Sequence, residues 1–372
     1  MFKKVFYCSS VSKCKLSSHL GNLVCNFLRE NDFILTENPF LADAIVINTC
    51  GFDYQREETA IDLINNYTKK YLGKKKIIVC GCLPKINPFL GQTKSVLKKI
   101  SLIGPREMDK FNQIFKHRIP IEKVVDNKID RKFLYKFRED NYSILISQGC
   151  INNCAYCSIK RAKGDIQSKS LNKVIKEFKS GLESGFKLFT LLGDECGSYG
   201  LDIETNFAQL LNKINKIRGD FKITIYYFEP SRLEALFSEI DPSIFKRIHS
   251  ICIPVQSMNQ RIVDLMNRHY QLKNIFKIIK QIKKISPSTS LRTHIIYAYP
   301  TETEKEFLNN IYSPNLDYFN EIMLYCYSDK KGTFAATMSG KIKSMEMEKR
   351  IKMVWQRVKK DRRFILPDKI KD

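Results

Sequence analysis

Nowhere in the 372 residues do about 18 apolar residues follow one another, the length a membrane-spanning helix needs, so a soluble chain is expected. The start, Met1-Phe2-Lys3-Lys4-Val5-Phe6-Tyr7, runs straight into Cys8 and polar residues. It shows no long apolar stretch of the kind a secretion signal carries. Tryptophan occurs once, and no segment repeats or falls into low complexity. With 43% apolar residues the chain is no disordered tail, and its length suggests two domains or one large barrel. A chain without an export signal is expected in the cytoplasm, where thiols stay reduced. Its 12 Cys then read as metal ligands or catalytic groups rather than as a disulfide network.

Acidic residues are scarce. There are 39 Asp and Glu against 63 Lys and Arg, a net charge of +24. Such an excess suits a phosphate backbone. Yet 46 of the basic residues are Lys, dispersed in runs such as Lys74-Lys75-Lys76 and Lys283-Lys284, which usually form solvated faces.

Hydrophobic period divides the chain. Strands at 4–7, 44–48 and 76–79 alternate with helices at 16–30 and 57–71, the pattern of a doubly wound, flavodoxin-like α/β domain over 1–120. A charge-dense stretch at 121–140 reads as a linker. Strands at 142–147, 187–192, 222–228, 249–255, 291–297 and 321–327 then alternate with helices at 171–184, 206–217, 231–240, 260–267, 274–285 and 304–312. Six such units predict a partial (β/α)6 barrel over 141–340, with its site at the C-terminal strand ends. A basic helix at 345–364 is expected within a final segment, 341–372.

Three Cys stand as Cys150-x3-Cys154-x2-Cys157 directly after the strand Ile144-Leu145-Ile146-Ser147. Three thiolates on one loop can hold three irons of a 4Fe-4S cube and leave the fourth open. The other readings are chance clustering and a zinc site, which would want a fourth Cys or His nearby. This loop at the mouth of a (β/α) series resembles the radical S-adenosylmethionine (SAM) superfamily, in which SAM on the open iron is split to a 5′-deoxyadenosyl radical.

Ser147-Gln148-Gly149-Cys150-Ile151-Asn152-Asn153-Cys154-Ala155-Tyr156-Cys157 is similar to the cluster loop of the radical SAM methylthiotransferases. Further words follow in that family's order. They are Leu192-Gly193-Asp194-Glu195, Pro254-Val255-Gln256-Ser257 with Arg268 and Tyr270, Pro300 with Glu302-Thr303, and Tyr327-Ser328 with Gly332-Thr333. The resemblance implies a second 4Fe-4S cluster on Cys14, Cys50 and Cys82, all placed at or after strand ends, with Cys8 and Cys80 as near rivals. Cys25, Cys196, Cys252 and Cys326 are expected to pack. By the same resemblance Gly193, Asp194, Gln256, Ser257 and Tyr156 border SAM, and the reaction replaces an unactivated C–H by C–S–CH3.

This sequence also departs from the family. Ala298, Thr301 and Met258 stand where relatives carry Gly, and Lys163-Gly164 and Ser168-Lys169 where they carry Arg-Gly and Ser-Arg. The sequence stops at Asp372, where familiar members continue into a small β-barrel, so a divergent member without that TRAM barrel is expected. The expected acceptor is a tRNA adenosine, with a protein or peptide side chain as the alternative. A flavodoxin- or ferredoxin-type electron donor and a monomer are expected as well. From a different class, a non-catalytic iron–sulfur protein binding nucleic acid is the remaining reading.

Overall fold

In the computed structural model of the chain, residues 3–10, 14–124 and 141–367 are described. The chain divides into two compact units, Met1–Glu139 with Ser158–Gly164, and Asp140–Cys157 with Asp165–Asp372.

The first unit runs β1 (Lys4–Ser9), α1 (Lys15–Glu30), β2 (Ile34–Thr36), β3 (Ala44–Thr49), α2 (Tyr54–Tyr71), β4 (Lys76–Gly81), the short α3 (Leu83–Ile86) and α4 (Lys94–Leu97), β5 (Ser101–Ile103) and α5 (Lys110–Ile114). All five strands are parallel, in the order β2-β1-β3-β4-β5, the flavodoxin-like winding. The cause is legible in β3, which is buried at every residue. Ala44 and Val46 pack on one side with Val24, Phe27 and Leu28 of α1, while Ile45 and Ile47 pack on the other with Ala60 and Ile64 of α2. A strand covered on both faces must be apolar at consecutive positions. Ile121 and Val124 belong to the α1-side core, so the first unit extends beyond 120. The remainder of the expected linker, 125–140, lies outside the described residues.

The second unit runs β6 (Asn141–Leu145), β7 (Ser147–Gln148), then, after α6 (Ile159–Lys163) in the first unit, β8 (Gln167–Ser168), α7 (Leu171–Glu183), β9 (Leu188–Leu192), α8 (Phe207–Asn215), β10 (Lys222–Ile225) and α9 (Pro230–Leu236). It continues with β11 (Ile248–Cys252), α10 (Gln260–Leu265), α11 (Leu272–Ile285), β12 (Ser290–Tyr297), α12 (Glu304–Tyr312), β13 (Glu321–Cys326), α13 (Phe334–Thr337), α14 (Ser344–Lys360) and β14 (Phe364–Ile365). The large sheet is parallel and open, ordered β14-β13-β12-β11-β10-β9-β6. It is a partial barrel of the expected six strands with one short strand added. Leu291 and Ile295 of β12 share a core with Ile279 of α11 and Phe307 and Ile311 of α12, which fixes the helical layer on one face of the sheet.

The C-terminal helix ends earlier than its sequence suggests. Asp361 accepts hydrogen bonds from its neighbour Arg363, the chain turns out of the helix, and Phe364 becomes almost fully buried beside β13. Burial of one aromatic ring at the sheet edge outweighs continued helix in a Lys- and Arg-rich segment.

Candidate functional site

Cys150, Cys154 and Cys157 lie half-buried on the loop after β7. Gly149, at φ 83, makes the turn into the loop, and its N–H donates to Asp194 Oδ2 at 2.9 Å. Thus Asp194, at the C-terminal end of β9, shapes the entry to the cysteine loop. Gly193 beside it has no room for a side chain, because a Cβ would come within 2.9 Å of Ser147 Oγ. The rest of the loop is held through its backbone. Ala155 N–H donates to Met266 O (2.9 Å), Ala335 N–H donates to Ala155 O (2.8 Å), and Asn267 Nδ2 donates to Asn153 O (2.8 Å). Burial pushes the Cys150 thiol well above the ordinary cysteine range, and the neighbouring Glu195, Cys154 and Cys157 push it further.

The sequence offered one side chain here only as part of a family word, without a role. Arg268, 6% exposed, donates through Nη1 to Tyr156 Oη (3.2 Å) and Cys154 Sγ (3.8 Å). Its Nη2 donates to Glu229 Oε1 (2.9 Å) and Pro254 O (3.1 Å). Glu229 is 4% exposed and follows β10. The available signal was an acid directly before Pro230 at a strand end. Nearby, Glu195 is buried and accepts from the N–H groups of Gly197 (2.6 Å), Ser198 (2.6 Å) and Glu229 (3.1 Å), while burial raises its carboxyl.

Gln256 and Ser257 end the β11 segment but differ in environment. Gln256 holds φ 62; its N–H donates to His294 O and its carbonyl accepts from Ile296 N–H, both at 2.8 Å. Its side-chain amide, on a residue only 8% exposed, has no hydrogen-bond partner among the described residues. Ser257 is fully buried, and its hydroxyl donates to Asn310 Oδ1 at 3.0 Å. Ala298 (φ 60) and Thr301 (φ 66) lie beyond β12 in the left-handed region, which accounts for glycine in relatives at these positions. Glu302 steadies this turn by accepting from Ala298 N–H (2.7 Å), Asn310 Nδ2 (2.8 Å) and Arg350 Nη1 (2.7 Å). Met258 is buried without a left-handed backbone, and Lys169 is paired with Glu177 at 2.6 Å.

In the first unit, Cys14 follows β1 and caps α1, its Sγ accepting from Ser17 N–H at 3.4 Å. Cys50 follows β3 and Cys82 follows β4. Since β1, β3 and β4 are adjacent, all three residues come to one sheet edge, and Cys14 and Cys82 both act electrostatically on Cys50. Gly81 (φ 102) permits the approach, because a Cβ would lie 2.3 Å from Thr49 O. Cys8 and Cys80 sit within strands instead, and loss of hydration pushes the half-buried Cys8 thiol up to about 12. Cys25, Cys196 and Cys252 are buried, as packing requires. Cys326 is exposed, 3.4 Å from Met347 Sδ.

Among the described residues no three Cys, His, Asp or Glu side chains converge as one metal ion requires. A cube takes each thiolate on a separate iron and needs a wider set than one ion does, and these thiols stand as neighbours on one loop and at one sheet edge. At the first-unit edge Asn48 Oδ1 is also buried without a partner among the described residues.

Residues 144–311 match the Radical SAM superfamily, and residues 9–101 match the Uncharacterized protein family UPF0004. The chain is 31% identical to the Thermodesulfovibrio yellowstonii "Ribosomal protein uS12 methylthiotransferase RimO", over 85% of this chain and 73% of that one. It is 27% identical to the Pyrococcus horikoshii "Probable threonylcarbamoyladenosine tRNA methylthiotransferase", over 85% of this chain and 75% of that one. Among solved structures, the radical S-adenosylmethionine methyltransferase TsrM from Kitasatospora setae superposes with a TM-score of 0.55 at 12% identity. That match covers 87% of this chain and 73% of TsrM, and it is a likeness of fold. The cysteine loop on the partial barrel, the flavodoxin-like first unit and the span of these relatives agree: the chain belongs to the radical SAM methylthiotransferases, enzymes that work with SAM and 4Fe-4S clusters.

Proposed function

We propose that this methylthiotransferase acts on a tRNA adenosine, with one cluster on Cys150, Cys154 and Cys157 and a second on Cys14, Cys50 and Cys82. The observation that carries the ligand assignment is the gathering of Cys14, Cys50 and Cys82 at one edge of the first-unit sheet and of Cys150, Cys154 and Cys157 on the single loop after β7. When bound, the clusters and SAM supply the radical and the sulfur that C–H replacement demands, because the acceptor carbon is not acidic.

The protein's own residues hold and orient. Asp194 and Gly149 fix the turn into the cysteine loop, and Gly193 keeps that turn close to Ser147. The Gln256 amide, on a residue 8% exposed that follows β11, serves as a polar contact for SAM. Ser257 acts through Asn310 and keeps the strand ends in place. Tyr156 stands beside Cys157 with its hydroxyl engaged by Arg268, which orients its ring against the loop.

Support for RNA comes from the Pyrococcus relative and from α11, where Lys273, Lys277, Lys280 and Lys284 form one exposed stripe without a salt bridge among the described residues. Such a stripe complements phosphates. Methylthiolation of a protein or peptide side chain is the second reading, favoured by the Thermodesulfovibrio relative. The chain is read as a cytoplasmic monomer reduced by a flavodoxin- or ferredoxin-type protein. No described helix is long and apolar enough to cross a membrane. Mass spectrometry of tRNA nucleosides and protein digests from cells with and without the gene tests the acceptor. Loss of a methylthio group from tRNA supports the first reading, and loss from a protein replaces it with the second.

A further inference from the structure

Arg268 combines features that loop-holding alone does not require. A guanidinium costs several kcal/mol to bury, and this one has a buried counter-ion, Glu229, whose side chain is 6% exposed. The cysteine loop is already tied by backbone bonds from Met266 and Ala335 and by the Asn267 side chain. Arg268 adds something different: a fixed positive charge with one N–H directed at the sulfur of Cys154. Its Nε is buried with no partner among the described residues. Arg268 also lines an open pocket of about 580 Å3 together with Glu234, Asp264, His269, Tyr270 and Gln271.

A hydrogen bond to a ligand sulfur and a nearby cation both favour the more negative, reduced form of a cluster. We infer that Arg268 is a positioning residue that raises the reduction potential of the cluster on Cys150, Cys154 and Cys157, with Glu229 fixing its orientation and offsetting part of its charge. The inference rests on the cluster assignment proposed above. Two opposite effects follow. Removing the cation makes the cluster harder to reduce, whereas removing the counter-charge makes it easier.

The experiment is a mediated redox titration of the reconstituted full-length protein, following the electron paramagnetic resonance signal that changes when SAM is added. For Arg268→Met, with unchanged iron content, the ratio of reduced to oxidised cluster at the unsubstituted protein's midpoint falls about tenfold, a shift of about 59 mV for one electron. Glu229→Gln shifts the midpoint the other way, and Arg268→Lys, which keeps the charge, restores most of the loss. Full iron with an unmoved midpoint in Arg268→Met overturns the inference. If Arg268→Met takes up no iron, Glu229→Gln decides: a more positive midpoint supports the inference and an unmoved one overturns it. Absence of a SAM-sensitive signal in the unsubstituted protein overturns the cluster assignment, and this inference with it.

Discussion

Gln256, Ala298 and Thr301, beside the barrel mouth, are non-glycine residues with left-handed backbone. Each costs about 1–2 kcal/mol relative to an ordinary conformation, so the surrounding bonds must over-determine it. At Ala298 the backbone N–H to Glu302 would be kept by glycine, whereas the methyl, 1% exposed and part of the barrel core, would be lost. Relief of the left-handed backbone, less about 0.8 kcal/mol for the buried methyl and less what glycine adds to the unfolded chain's freedom, leaves Ala298→Gly an expected gain of no more than about 0.5 kcal/mol. A higher urea midpoint with an unchanged slope would register it. At Thr301 the same change also removes the hydroxyl that accepts from Arg261 Nη1 at 3.1 Å, so the gain is smaller there. Gln256 and Ser257 separate by role. Ser257→Ala should lose about 1 kcal/mol of stability, because Asn310 loses a donor, and leave SAM affinity as it was. Gln256→Ala should do the reverse, weakening SAM in equilibrium dialysis with little change in the unfolding midpoint. A loss of SAM affinity in Ser257→Ala would show that its hydroxyl leaves Asn310 to meet the ligand.

At the scale of elements, α14 is joined to the turn after β12 by a buried pair, Arg350 Nη1 to Glu302 Oε2 at 2.7 Å, with side chains 3% and 0% exposed. Burial holds the Glu302 carboxyl up at about 7, against an ordinary value of 4.5, although Arg350, Asn310 and the Ala298 N–H all pull it down. The folded protein thus keeps a proton that the unfolded chain releases. Stability from this group is full below the ordinary glutamate range and declines as pH rises to about 7. Arg350→Met removes the cation and raises the carboxyl further. Its destabilisation should be about 3–5 kcal/mol at about pH 8 and clearly less at about pH 5, where Glu302 is protonated. Urea unfolding at the two pH values checks this; an equal loss at both would mean that Arg350 acts by packing alone. Glu306 and Glu107, held down at about 2, contribute the opposite slope at acid pH in both proteins and cancel from the comparison.

The same scale shows what the sequence could reveal. β3 and α1 were legible because four consecutive apolar residues, Ala44 to Ile47, and a 3.6-residue period have few other uses. β2, β5 and β14, of two or three residues each, are too short to display any period. The Arg268–Glu229 pair spans 39 residues of sequence, and only the adjacency of β10 and β11 brings the two together. The cysteine positions were readable from local words, whereas the closeness of Cys14, Cys50 and Cys82 depends on a strand order that no local word encodes.

For the whole molecule, the division into two units has a consequence for how the clusters fail. Cys14, Cys50 and Cys82 lie in the first unit, and Cys150, Cys154 and Cys157 lie in the second. Each unit buries its own apolar core, one around β1, β3 and β4 and one around β9 to β13, so neither group of thiols needs the other to be held in place. Cys50→Ala should then remove about four irons and leave about four. It should abolish methylthio transfer while SAM cleavage continues, because the loop after β7 is untouched. Cys150→Ala should also leave about four irons, those of the first unit, but abolish SAM cleavage and transfer together. Iron analysis beside 5′-deoxyadenosine production separates the cases. If Cys50→Ala also stops SAM cleavage with second-unit iron intact, the first unit does more than host its own cluster, and the two steps are coupled in the protein rather than merely joined on one chain.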